Sequence, residues 1–305
     1  MRVSAILSTV AAVGPIVASA ATAGGKMGFS LGNKKDDMSC KDASDYKADF
    51  AAISAQTSAK IVRTYAASDC DLAKTILPVA KEAGFQVVLG IWPDTDESFQ
   101  ADKAAVLANA PKYKDQVYAI TVGSESLYRR NFTGAELASK IQDVKSAVGT
   151  DFKVGTADSW NRYDDGSADA LIGSVDILLC NAFSYWQGQA TNNATGSFYD
   201  DIYRAFGKIQ ERANSTDKIE LWVGETGWPT KGDKYQNAQP GVTQAATFYK
   251  QAICGMLDWG FNVFVFEAFD EAWKPKTAGE DGTIADETSW GVMTSDRKAK
   301  YDLKC

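Results

Sequence analysis

The stretch "LWVGETGWP", Leu221–Pro229, puts a carboxylate where an apolar run opens into a loop. Leu221, Trp222 and Val223 suit a buried, pleated strand. Gly224 and Gly227 admit close or unusual backbone paths, and Pro229 removes a backbone donor and ends the ladder. Glu225 therefore stands at the C-terminal end of a strand, where a carboxylate is costly unless it is paired or put to use.

The same strand-like pattern recurs on both sides of this stretch. Apolar runs fall at Lys26–Leu31, Lys60–Tyr65, Gln86–Trp92, Val117–Gly123, Phe152–Thr156, Val175–Asn181, Ile219–Gly224 and Asn262–Glu267. Helical spacing fills segments between them, among them Asp69–Ala83, Gly134–Val148 and Thr243–Gly260. The repeat is roughly thirty to forty residues, the size of a strand-helix unit. Eight such units predict an α/β fold of one class, a single (β/α)8 TIM barrel. A doubly wound open sheet is the alternative; it would carry a Gly-rich phosphate turn after its first strand, and "GFSLGN" is not one.

The chain has 305 residues, 45% hydrophobic and 23% charged, with a formal charge of -7. An acidic surface argues against nucleic acid or an anionic membrane as partner and suits a neutral substrate. Histidine is absent. That removes Ser-His-Asp and Cys-His nucleophile pairs and disfavours a zinc site, leaving acid-base chemistry to Asp, Glu, Tyr, Lys or Cys.

Residues 1–20 read as a cleaved signal peptide: Arg2, an apolar stretch from Val3 to Val17, then "ASA". The stretch is too short for a good membrane span. Residues 21–305 are expected to form one domain, secreted, without a lipid-linked C-terminal anchor. Among the five cysteines, Cys40 with Cys70 and Cys254 with Cys305 are candidate bridges, although the spacing leaves the connectivity open; Cys180, inside an apolar run, is expected to be a buried thiol. Asn131, Asn193 and Asn214 each begin a glycosylation sequon.

In a barrel of this type chemistry collects at the C-terminal ends of the strands. The fourth run ends "ITVGSES", placing Glu125 at the rim, and the seventh places Glu225 there. The eighth, "VFEAFDEAWK", brings Glu267, Asp270, Glu271 and Lys274; the second, "VRTYAASDCD", brings Arg63, Tyr65 and Asp69. Strands four and seven face one another across eight. Two rim glutamates in a chain without histidine suggest the carboxylate pair of glycoside hydrolysis. Trp92, Trp160, Phe183, Tyr185, Trp186, Trp228, Trp273 and Trp290 crowd the same ends, as rings on which sugar faces can stack. Asn181 and Arg63 are candidates to bind hydroxyls, Arg63 being equally suited to an ion pair inside the barrel.

"IELWVGETGWPTKG", Ile219–Gly232, resembles the nucleophile signature of glycoside hydrolase family 17, the β-1,3-glucanases. "ITVGSE" resembles the family's acid/base strand, and "FEAFDEAWK" with "ETSWGVM" its eighth strand and closing segment. The likeness spans the mature chain and is nearest the fungal cell-wall branch of glucan hydrolases and glucanosyltransferases. It implies a (β/α)8 barrel and a retaining double displacement on β-1,3-glucan in the cell wall, with Glu225 as nucleophile, Glu125 as acid/base, and no metal or organic cofactor. It further implies a supporting network of Glu267, Glu271 and Lys274; with these, the residues at the strand ends make a candidate substrate-binding set of Arg63, Tyr65, Asp69, Ser124, Asn181, Tyr185, Trp186, Trp228 and Trp273. One departure stands out: Ser124 replaces the Asn that many members carry just before the acid. Two other readings remain open on sequence, a glucan-binding wall protein with a dead site and a lysine Schiff-base enzyme built on Lys274.

Overall fold

Eight parallel strands pair in chain order and close on themselves, β8 returning to β1, in a computed structural model that describes residues 24–278 and 284–305. The signal peptide expected over residues 1–20 lies outside the described residues. The strands are β1 Met27–Ser30, β2 Ile61–Arg63, β3 Gln86–Ile91, β4 Val117–Ser124, β5 Val154–Ser159, β6 Ile177–Asn181, β7 Glu220–Thr226 and β8 Asn262–Val265. Each falls on one of the eight expected runs. Parallel strands covered on both faces need apolar residues at nearly every position, and β4 and β6 are buried along their whole length.

The helices outside are α1 Ala43–Gln56, α2 Leu72–Ala83, α3 Asp96–Asn109, α4 Gly134–Val148, α5 Trp160–Asp164, α6 Thr191–Ala213, α7 Val242–Phe248 and α8 Cys254–Asp258. Capping boxes start three of them, Asp42 with Asp45, Thr95 with Ser98, and Thr133 with Glu136. Each satisfies two backbone donors reciprocally. Two helical expectations are refined. The segment from Asp69 opens as a single 3-10 turn, because Cys70 and Asp71 hold left-handed φ of 58° and 51°, and α2 starts only at Leu72. The segment from Thr243 is broken by a wider turn at Tyr249–Ile253. A small hairpin, β9 Lys276–Ala278 with β10 Ile284–Asp286, follows the barrel.

Inside the barrel, the chemistry changes with height. The end where the strands begin is plugged by Tyr118, Trp222 and Phe264, the last two stacked at 4.5 Å between ring centroids. Above the plug the interior turns polar, with Arg63, Ser124, Asn181 and Glu225 all buried. Apolar burial thus supports a layer of charge at the mouth. Cys40–Cys70 and Cys254–Cys305 are both disulfides, the second tying the C-terminal residue to α8, and Cys180 is a buried free thiol. Asn131, Asn193 and Asn214 are exposed. Among the described residues no helix is long and apolar enough to cross a membrane.

Candidate active site

Register shifts sit at the strand ends that carry the site. The β4–β5 ladder slips between Thr121 and Ser124, β6–β7 between Cys180 and Asn181, and β7–β8 between Val223 and Thr226. Such irregularities re-aim side chains at the end of a ladder. After them Asn181 is paired with Glu225, and the Glu125 amide donates to Ala157 with a left-handed φ of 57°. Both glutamates then line one cleft of about 540 Å³ over the C-terminal mouth of the barrel.

A continuous chain of polar contacts joins them. Asn181 Nδ2 donates to Glu125 Oε1 at 3.1 Å, while Asn181 Oδ1 accepts from Arg63 at 3.4 Å. Arg63 in turn donates to Glu225 Oε1 at 2.9 Å and to Ser124 Oγ at 2.9 Å. Tyr65 Oη donates to the same Glu225 oxygen at 2.7 Å. Arg63 is 1% exposed and does not border the cleft, so of its two sequence readings the structure shows the ion pair. Ser124 is engaged by Arg63. Glu225 therefore meets a guanidinium and a phenol, whereas Glu125 meets one neutral amide.

The surroundings of Glu125 favour its protonated form. Burial first, and the charge of Glu225 second, push the Glu125 carboxyl up to about 7, with the Asn181 hydrogen bond working the other way. Close to neutral pH, Glu125 can hold a proton to give away, beside a carboxylate paired with a cation. These are the two roles that cleavage of an acetal needs.

The β8 end brings Lys274 between two acids, 2.6 Å from Glu267 and 3.2 Å from Glu271. Gly32 is what lets Glu271 in, since a Cβ there would stand 1.7 Å from its carboxylate. Burial alone would lower the Lys274 ammonium, but Glu267 and Glu271 outweigh it and hold it above its usual range. A lysine held protonated is a poor Schiff-base nucleophile. Asp69 also borders the cleft, paired with Lys34 at 3.3 Å.

The aromatic set divides. Trp92, Trp160, Phe183, Trp186 and Trp273 line the cleft. Tyr185 and Trp228 do not: each is 2% exposed, packed edge-on to the other, with its polar atom donating to a backbone carbonyl, Asp233 and Gln239 respectively. They back Trp186 and have no face free for a sugar, which corrects their expected place among the substrate contacts. Trp290 is likewise buried, 5.6 Å from Trp186 and nearly parallel to it.

Sequence reasoning passed over Asp158. It stands near the C-terminal end of β5, as Glu125 stands just past that of β4, and the same strand-end rule would have found it. Its carboxylate, fully buried, accepts from the amides of Leu127, Tyr128 and Ser159. It thereby fixes the loop that leaves Glu125, and burial pushes it up to about 6 against those hydrogen bonds. Asp158→Asn keeps the shape but cannot accept the same set. We expect kcat to fall by about tenfold, a loss of about 1.4 kcal/mol, with KM little changed. The alkaline limb of kcat/KM should also move to lower pH, since a charge that raises Glu125 is gone. An unchanged rate and pH profile would remove Asp158 from any positioning role.

Comparison with known proteins places this site among glycosidases. The family model described as the BtgE/BtgC glycoside hydrolase domain matches residues 28–291. A glucan 1,3-beta-glucosidase of Arthroderma benhamiae is 50% identical over 307 residues, covering 100% of this chain and 98% of that protein. One from Saccharomyces cerevisiae is 45% identical, covering 100% and 99%. Among solved structures, the glycoside hydrolase family 17 beta-1,3-glucanosyltransferase from Rhizomucor miehei superposes with a TM-score of 0.77 at 26% identity, over 91% of this chain and 97% of that one. An active-site mutant of a Rhizomucor miehei beta-1,3-glucanosyltransferase has been solved with laminaritriose.

Proposed function

The chain belongs to the glycoside hydrolases of family 17, in the group described as the BtgE/BtgC glycoside hydrolase domain, and on that premise we propose that it is a secreted, retaining enzyme acting on β-1,3-glucan of the fungal cell wall. The observation that carries the reading is the pair of unlike glutamates in one cleft, Glu225 on Arg63 and Tyr65, Glu125 raised to about 7. Glu225 attacks the anomeric carbon while Glu125 gives its proton to the departing oxygen. The bond from carbon to leaving oxygen breaks, and a glycosyl ester on Glu225 forms. Glu125, now a base, takes a proton from the second acceptor as that acceptor displaces Glu225. Water as acceptor gives hydrolysis; the hydroxyl of another glucan chain gives transfer.

Trp92, Trp160, Trp186 and Trp273 supply flat faces for the sugar rings along this cleft. The Lys274, Glu267 and Glu271 network holds the β8 side of the cleft in place. Proton NMR of the first product from laminari-oligosaccharides, with chromatography of the mixture, tests the proposal. A β-configured first product supports retention, and products longer than the substrate reveal transfer. An α-configured product, or no turnover of any β-1,3-linked substrate, would overturn it.

A further inference from the structure

Some aromatic rings lie on the outside of the barrel, where the cleft makes no use of them. On α6, Gly196, Tyr199, Tyr203 and Gly207 follow at intervals of three, four and four residues and so share one helix face, about 16 Å long at 1.5 Å per residue. Tyr203 is 81% exposed. In the turn between α8 and β8, Trp259 is 62% exposed and lies against Tyr199, one helical turn before Tyr203, with ring centroids 4.7 Å apart. Phe261 extends the band at 38% exposure. Because Trp259 comes just before β8 begins, the band sits on the helical flank toward the N-terminal ends of the strands, away from the catalytic mouth.

The band is built rather than incidental. Tyr199 is fixed from behind, its hydroxyl donating to Gln251 O, and a Cβ on Gly255 would stand 2.1 Å from that hydroxyl. Gly196 and Gly207 have the opposite character. A Cβ on either would meet nothing within 4 Å, and neither has a positive φ. Packing does not require glycine at these places, and glycine weakens a helix interior. The two glycines flank the tyrosine pair along this face and place no side chain at either end of it.

Charge and size select the occupant. Arg204 is held by Asp164 and also lies 3.9 Å from Asp200, while Asp258 stands exposed directly before Trp259, so the surround of the rings is acidic and disfavours an anionic partner. The exposed rings present on the order of 400 Å², taking an aromatic side chain as 150–250 Å². That is about half of the ~800 Å² per partner in a stable dimer, but it is ample for a few sugar rings. We propose that this face is a second, non-catalytic site for the pyranose faces of a neutral glucan chain, holding polymer to the enzyme while another segment is processed in the cleft. The proposal rests on the substrate reading above.

Retention on insoluble β-1,3-glucan, in the Glu225→Gln background to prevent digestion, tests it. Tyr203→Ala with Trp259→Ala should weaken retention by about tenfold. In the otherwise unaltered enzyme the same pair should leave kcat/KM on a short soluble laminari-oligosaccharide unchanged. Gly207→Gln adds bulk before Tyr203 and favours the helix, so weakened retention in that variant cannot come from unfolding. Equal retention by parent and double variant overturns the proposal. So does a dimer of the parent in sedimentation that the double variant lacks, which would assign the face to a second copy of the chain. Failure of the substrate reading is separate: the unaltered enzyme would then not turn over the soluble oligosaccharide at all.

Discussion

Glu225→Gln should lower turnover of a β-1,3-linked oligosaccharide by about ten-thousand-fold or more, since an amide cannot form the glycosyl ester and nothing else in the cleft replaces it. It should also cost stability. Arg63 is buried and its partner would lose its charge; leaving one member of such a pair uncompensated costs about 3–5 kcal/mol, reduced here because the Gln oxygen can still accept from Arg63 and Tyr65. Activity and melting temperature should therefore fall together. Glu225→Ala, given an activated aryl β-glycoside and azide, should yield the α-glycosyl azide, because a small anion entering the gap attacks from the face the carboxylate occupied. A β-azide from this variant, or turnover within tenfold of the parent, would take the nucleophile role away from Glu225.

Much of this architecture was legible in the sequence, for a physical reason. Strands covered on both faces must be apolar almost throughout, so each stood out as a run, and the carboxylates that break the rule at Glu125 and Glu225 stood out with them. What direction a side chain takes after the strand ends was not legible. Tyr185 and Trp228 look like Trp186 and Trp273 in sequence, yet they pack behind the wall of the cleft, because only the loop path decides which ring turns inward. Arg63 was undecided for the same reason. Its ion pair crosses from β2 to β7, a separation of 162 residues, and no local pattern encodes that meeting. The register shifts that aim Glu125, Asn181 and Glu225 leave no local mark either, since one extra residue in a ladder keeps the composition of the run.

The outcome for Glu125→Gln has the opposite sign in stability. Turnover should fall by about 10²–10⁴ on substrates whose leaving group needs a proton, and far less on aryl glycosides that need none. In the parent, activity needs the proton on Glu125, so kcat/KM should decline above about pH 7, and the Gln variant should lose that limb. The same raised pKa acts on folding. Unfolded, the carboxyl ionises near its ordinary value of 4.5; folded, it keeps the proton until about 7. Between those values the unfolded chain binds fewer protons than the native one, so this group's contribution to stability is full below pH 4.5, drains as pH rises, and stays lost above 7. Glu125→Gln removes a charge that the folded state resists. Discounted for the partial opening of Glu125 to the cleft, the gain is about 1–2 kcal/mol at pH 8, little at pH 4, and visible as a melting temperature about 2–4 °C higher per kcal/mol at the alkaline value only. A variant that is inactive and destabilised at pH 8 would mean that Glu125 is held ionised in the fold, and an ionised Glu125 has no proton for the departing oxygen.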